Sequence, residues 1–196
     1  MFDAIKTRLL LAFGNWAIQR AMRTPYLHLY HDDGRPYMER YWLFRIGQSR
    51  QYPDEDSETC PLFSIRVHRI VSSDDRTFHD HPWNYTTLIL RGGYTEVTPR
   101  WGIIQPYMIT MADDYDGHDP CLYNTNNGVR YEAGSVLRRK ADNWHFLELN
   151  PGEEAWTMFI MGPKRQDWGF LVDGLVKVFW RDYLARREAR SQQASA

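Results

Sequence analysis

The chain has 196 residues, 43% of them apolar, enough for one domain around a single sizeable core. Its 24 Lys and Arg nearly balance 25 Asp and Glu, so it carries no basic field of the kind nucleic-acid binding needs, and no nucleic-acid partner is expected. Cys60 and Cys121 fit neither a disulfide framework nor a thiolate zinc motif, and the expected setting is a reducing cytoplasm.

Ile5, Leu9, Phe13, Trp16, Ala17 and Ile18 recur at roughly helical spacing and predict an amphipathic helix from Phe2 to Met22, ended by Thr24 and Pro25. The LLLAF run behind Lys6 and Arg8 fails as a secretory signal. Asp3 sits in the would-be basic region, Gly14 and Asn15 interrupt the apolar run, and no small-x-small site follows before Arg20. No apolar stretch is long enough to cross a bilayer, so no membrane partner is expected. YLHLYH and YMERYWLFRI predict a hairpin around Asp32, Asp33 and Gly34, with His28 and His31 as polar strand residues. Gln48 to Pro61 reads as a surface loop. In LFSIRVHRIVSS, Phe63, Ile65, Val67 and Val71 alternate with Ser64, Arg66 and His68, so one face is apolar and the other can look into a polar cavity.

FHDHPWNYTTLILRGG carries the main chemical signal. His79 and His81 share strand parity, so both imidazoles can reach one ion. YTTLILRGGYTEV is expected to form two strands meeting at Gly92 and Gly93. WGIIQPYMITM reads as a strand and the segment after it as a long loop with a solvated His118. YEAGSVLRRK, NWHFLEL and AWTMFIMGP then restore strands at a spacing of about ten residues, which argues for an antiparallel sandwich or barrel. Val176, Phe179, Trp180, Tyr183 and Leu184 lie on one face of a predicted C-terminal helix, whose arginines, alternating with Asp182 and Glu188, describe a solvated face. The expected layout is a helix over 1–24, a barrel over 25–172, and a helix with a tail over 173–196.

Two spaced sets of residues, His79, His81, Pro82 and Gly93 in the first and Gly134, His145 and, one residue late, Asn150 in the second, match two motifs of the cupin superfamily. The chain resembles that family over roughly residues 63–162. Its flanks, PYMERYWLFRIG and QDWGFLV, resemble those of uncharacterised small cupins of bacteria and phages, a likeness that carries no activity. The resemblance implies an all-β fold, the cupin double-stranded β-helix or jelly-roll barrel, with flanking N- and C-terminal helices. It also implies that His79, His81 and His145 are metal ligands.

One departure stands out. Where the first motif usually has a Glu, five residues after its second His, this chain has Thr86, whose neutral hydroxyl is a poor ligand. The three-histidine set that remains is that of cysteine-dioxygenase-like cupins. It implies a divalent metal, Fe(II) favoured over Zn, Mn or Ni, with open positions for substrate and for dioxygen or water. Glu96 restores a carboxylate if the strand register turns it inward.

Arg66 and His68 are the expected catalytic residues on the polar strand face, where a cation would neutralise a carboxylate or phosphate of the substrate. For Arg66, structural pairing with an aspartate is an equal reading. Tyr94 and Tyr85 offer a phenol for acid or base work. Asn143 shares parity with His145, and Trp83 and Trp144 flank the histidines as walls. The expected function is that of an Fe(II) dioxygenase-like enzyme acting on a small anionic molecule. The alternatives are a Zn- or Mn-dependent isomerase or hydrolase, and a non-catalytic cupin module for ligand binding or assembly. A homodimer formed through an edge strand, or through the N-terminal helix or hairpin, is the oligomer the resemblance suggests.

Overall fold

The computed structural model describes residues 2–46, 63–99, 128–172 and 176–194. The predicted loop from Gln48 to Pro61, both cysteines, the WGIIQPYMITM strand and the loop around His118 lie outside them. The chain opens with helix α1 (Phe2–Ala21), followed by β1 (Pro25–Tyr30) and β2 (Pro36–Ile46). These two strands are the predicted hairpin. Gly34 turns it with φ 81°, a conformation that costs glycine nothing. Next come β3 (Phe63–Ile70), β4 (Trp83–Val97), β5 (Gly128–Glu132), β6 (Val136–Arg139), β7 (Phe146–Glu148) and β8 (Ala155–Lys164). A short hairpin, β9 (Gly169–Val172) and β10 (Val176–Phe179), leads into helix α2 (Trp180–Ala194).

Antiparallel pairing runs in the order β1-β2-β3-β8-β4-β5, with β6 and β7 also on β4. The long strand β4 organises the barrel. Its first half pairs with β8 and β6, and its second half with β5 and β7. The result is an all-β antiparallel barrel flanked by two helices, the fold class expected.

Three expectations are corrected. First, YTTLILRGGYTEV is one strand that bends, not two. Gly92 has φ 70°, and a Cβ there would lie 2.0 Å from the Glu154 carbonyl oxygen, so the glycine serves a bulge inside the strand. The pairing with β8 shifts register between Ile89 and Arg91. The extra residue flips side-chain parity: Tyr85 and Thr87 face the barrel interior before the bulge, and Tyr94 and Glu96 face it afterwards.

Second, Val176–Phe179 is a strand paired with β9, and the C-terminal helix starts only at Trp180. Its apolar residues alternate as well as they recur at helical spacing, and the β9 partner decides between the two.

Third, α1 leaves several of its large apolar residues exposed. Leu9 is 66% exposed and Trp16 57%, while Ala17, Ile18 and Ala21 pack on Tyr41, Val67, Leu90, Trp156 and Met158. Small residues bring the helix close to the sheet. A Cβ on Gly14 would already stand 3.1 Å from the Leu90 carbonyl oxygen.

Candidate metal centre

The FHDHP segment lies outside the named strands but is sewn between two of them. His79 exchanges both backbone hydrogen bonds with His145, 3.0 Å each, as an isolated antiparallel bridge just ahead of β7. On its other side, Leu171 N donates to Phe78 O and Asp80 N to Gly169 O, which ties the segment to β9. Directly bridged residues place their side chains on one face, and His81, two positions on, joins them. The three imidazole centroids stand 5.0, 5.1 and 5.2 Å apart. One ligand atom from each of His79, His81 and His145 lies within 4.8 Å of the others, and His81 Nε2 is 2.9 Å from His145 Nε2.

Between the two motif histidines, Asp80 points the opposite way and is 2% exposed. Its carboxylate accepts hydrogen bonds from Lys177 Nζ at 2.6 Å, Gln166 Nε2 at 2.7 Å and the Gly169 amide at 2.8 Å. A single buried acid thus clamps the β9–β10 hairpin to the histidine segment. Burial raises its carboxyl, and the Lys177 contact opposes that rise.

Around the histidines the electrostatics favour neutral imidazoles. Burial first, and then the neighbouring histidines, lower His81 well below the usual range and hold His79 down to about 3. Glu96, only 3% exposed, is not aimed at the three nitrogens. Its Oε1 is 2.7 Å from His145 Nδ1, and its other oxygen pairs with Arg139. Burial alone would raise Glu96, but the hydrogen bonds from His145 and Arg139 prevail and bring it to about 2. An ionised Glu96 can only accept, so His145 Nδ1 carries the hydrogen and its Nε2 is presented to the cluster. A carboxylate behind a ligating imidazole fixes its tautomer and direction, and that is the role the geometry gives Glu96 in place of the missing ligand.

Thr86 is also displaced from the place the motif spacing assigned it. It shares parity with Leu88 and Leu90 on the face that α1 covers, whereas Tyr85 faces inward with its hydroxyl 3.4 Å from His145 Nε2.

The cluster forms one wall of a cavity of about 280 Å³. Further along the same cavity, Arg40 on β2 pairs in register with His68 on β3, and Arg66 lies two residues before His68. All three line the cavity. Arg66, 3% exposed, has its guanidinium carbon 4.8, 5.2 and 5.4 Å from the ring centres of Trp42, Trp83 and Tyr26, so its cation is held by aromatic faces. The His68 ring stacks on Phe159 at 5.2 Å, and its Nε2 is buried with no hydrogen-bond partner among the described residues. Burial first, then Arg40 and Arg66, depress the His68 imidazole. Tyr94 is buried on the same cavity, its phenol raised by burial and by Glu96. Trp168, Phe170 and Leu184 add apolar surface, and Arg187 of α2, which also lines the cavity, reaches Asp75 at 2.5 Å and Asp32 at 2.8 Å.

Every residue singled out from the sequence as a ligand or catalytic group therefore borders this one cavity. Trp83 lines it too. Trp144 packs instead with Phe78, Val97, Phe146 and Leu171, and Asn143 sits in a turn away from the cavity. His28 is exposed, with its ring 5.9 Å from that of Tyr41, while His31 bonds Ser72 Oγ at 2.7 Å and borders the cavity. Sequence reading missed Arg40, Arg139 and the aromatic pair Trp168 and Phe170. The first follows only from the β2–β3 register, and the pair only from β9 closing on His79.

Fold and site together define an antiparallel β-barrel with three histidines gathered at one inner wall. No family model matches the chain, and no curated protein matches it in sequence. Among solved structures it is similar to a cupin-2 domain protein from Rhodospirillum rubrum, at 10% identity over 76% of each chain with a TM-score of 0.47. A cupin 2 conserved barrel domain protein from Rhodopseudomonas palustris gives 12% identity over 78% of each chain and a TM-score of 0.45. The polyketide cyclase RemF from Streptomyces resistomycificus gives 12% over 76% of this chain and 79% of that one, at 0.44. Likenesses this distant say nothing of chemistry, which has to be read from the cavity itself. Among the described residues no helix is long and apolar enough to cross a membrane.

Proposed function

We propose that the protein is a metal-dependent enzyme acting on a small anionic molecule, with Fe(II) as the favoured ion and dioxygen as co-substrate. The observation that carries this reading is the convergence of His79, His81 and His145 on one point, with Glu96 fixing the direction of His145. Three imidazole ligands suit a divalent first-row ion such as Fe(II), Zn(II) or Ni(II). A bound ion would supply Lewis acidity and open positions at the cavity wall, its charge unreduced by a ligating Glu96.

The chain's own residues supply the rest. Arg40, Arg66 and His68, lining the same cavity, favour an anionic group on the molecule that occupies it. Tyr94 places a phenol on the same cavity for proton transfer. Trp168 and Phe170 exclude water from the side where β9 closes on His79. The volume, about 280 Å³, limits the substrate to a small molecule.

The test is oxygen uptake by tag-free protein loaded anaerobically with Fe(II) and offered a panel of small carboxylates and phosphate esters. Uptake stimulated by one of these classes and lost in His79→Ala is the expected result. Turnover without oxygen consumption, restored equally by Zn(II) or Mn(II), would replace the oxygenase reading with an isomerase or hydrolase. No turnover with any ion, together with unchanged ligand binding in the histidine variants, would leave a non-catalytic module.

A further inference from the structure

Beyond the three histidines, we propose that the Tyr85 phenol oxygen is a fourth protein donor to the ion, an inference that rests on the metal-centre reading above. Tyr85 lies four residues after His81 on the inward face of β4 and is 6% exposed. Its hydroxyl is 3.4 Å from His145 Nε2, the atom that also has His81 Nε2 at 2.9 Å. Donors held about 2.0–2.1 Å from one ion at right or tetrahedral angles stand roughly 2.8–3.4 Å apart, so both separations are those of neighbouring ligands on a shared ion.

Hydrogen bonding alone accounts poorly for this crowding. With its Nδ1 hydrogen committed to Glu96, His145 has one lone pair at Nε2, yet two polar groups converge on it. Its bond to His145 is the sole hydrogen bond of the Tyr85 hydroxyl among the described residues. The ring cannot swing away, because it stacks on Phe159 at 4.6 Å and meets the His81 ring edge-on at 4.7 Å. Glu96 does not compete for the place, since one of its oxygens is held by His145 and the other by Arg139. Binding exchanges the phenol O–H bond for an O–metal bond and sends the proton to solvent, with no change of oxidation state.

Cu(II) is the probe, titrated into tag-free full-length protein, with the wild type and Tyr85→Phe compared by visible absorption, electron paramagnetic resonance and far-ultraviolet dichroism. The wild type should show an intense phenolate-to-copper charge-transfer band together with imidazole nitrogen coupling. Folded Tyr85→Phe should keep the nitrogen coupling and lose the band, with Cu(II) affinity lower by at least the 10–100-fold typical of groups outside the ligand set. A wild-type spectrum without that band, or one that survives Tyr85→Phe, overturns Tyr85 as a ligand while leaving the three-histidine site intact. Cu(II) binding indifferent to His81→Ala removes the metal centre itself, and Tyr85 with it.

Discussion

Two stretches of the cavity wall are finished to different degrees. On the histidine wall, the His145 nitrogen turned away from the cluster is tied down by Glu96, and Glu96 is itself held by Arg139. On the β2–β3 wall, His68 presents a buried nitrogen with no partner among the described residues, beside two arginines. Leaving such a nitrogen unsatisfied costs about 1–3 kcal/mol. Under the reading proposed above, the first wall directs its imidazoles at an ion, and the second offers its partnerless nitrogen and two arginines to an anionic molecule.

The largest effect should come from the first wall. His81→Ala or His145→Ala removes one of three directed imidazoles, and metal binding measured by calorimetry should fall below detection while the barrel stays folded. Equal affinity in either variant would erase the distinction between the walls.

Acid should act on both walls. His68, His79 and His81 are all depressed in the folded chain, so the unfolded chain binds more protons, and metal-free stability falls as the pH drops below about 6.5. Each contributes up to about 1.4 kcal/mol per pH unit, down to about 3 for His79. Glu96, lowered to about 2, adds a loss of the same sign below its ordinary 4.5, which the raised Asp74 and Asp80 partly offset in the carboxylate range. Denaturant melts between pH 7 and 5 should show the midpoint falling, and replacing His68 should flatten that slope.

Glu96→Gln separates direction from ligation. Loss of the charged partner behind His145 should weaken metal binding about 10–100-fold without abolishing it, whereas abolition would make Glu96 a ligand after all. The smallest effect on the fold is expected at His68→Phe. It substitutes an apolar ring for an unsatisfied imidazole on Phe159, so thermal stability should hold or rise by about 1 kcal/mol, while KM for an anionic substrate rises and metal affinity stays put.

Much of this was readable from residues alone, because strand parity is a strong signal where strands are unbroken. Alternation in FSIRVHRI put Arg66 and His68 on one face, and motif spacing joined His145 to His79 and His81. Parity misled wherever the backbone departed from regularity. Reading Gly92 and Gly93 as a turn hid the bulge that swings Glu96 inward, and counting five residues from His81 put attention on Thr86 when the inward residue is its neighbour Tyr85. Arg40 and Lys177 were beyond reach for another reason: each meets the site through a pairing of distant strands, which composition and period do not encode. On α1, apolar spacing found the helix but misplaced its buried face, since close approach to Leu90 selects Gly14 and Ala17 over Phe13 and Trp16.

The central claim is that one ion sits among His79, His81 and His145. Elemental analysis of tag-free protein, joined to anomalous diffraction at the absorption edge of the metal found, tests it most directly. The account predicts about one equivalent of a divalent first-row metal, with a single anomalous peak within ligand distance of all three imidazoles, both lost in His81→Ala. Sub-stoichiometric metal unchanged by that substitution, or a peak elsewhere in the barrel, would contradict it.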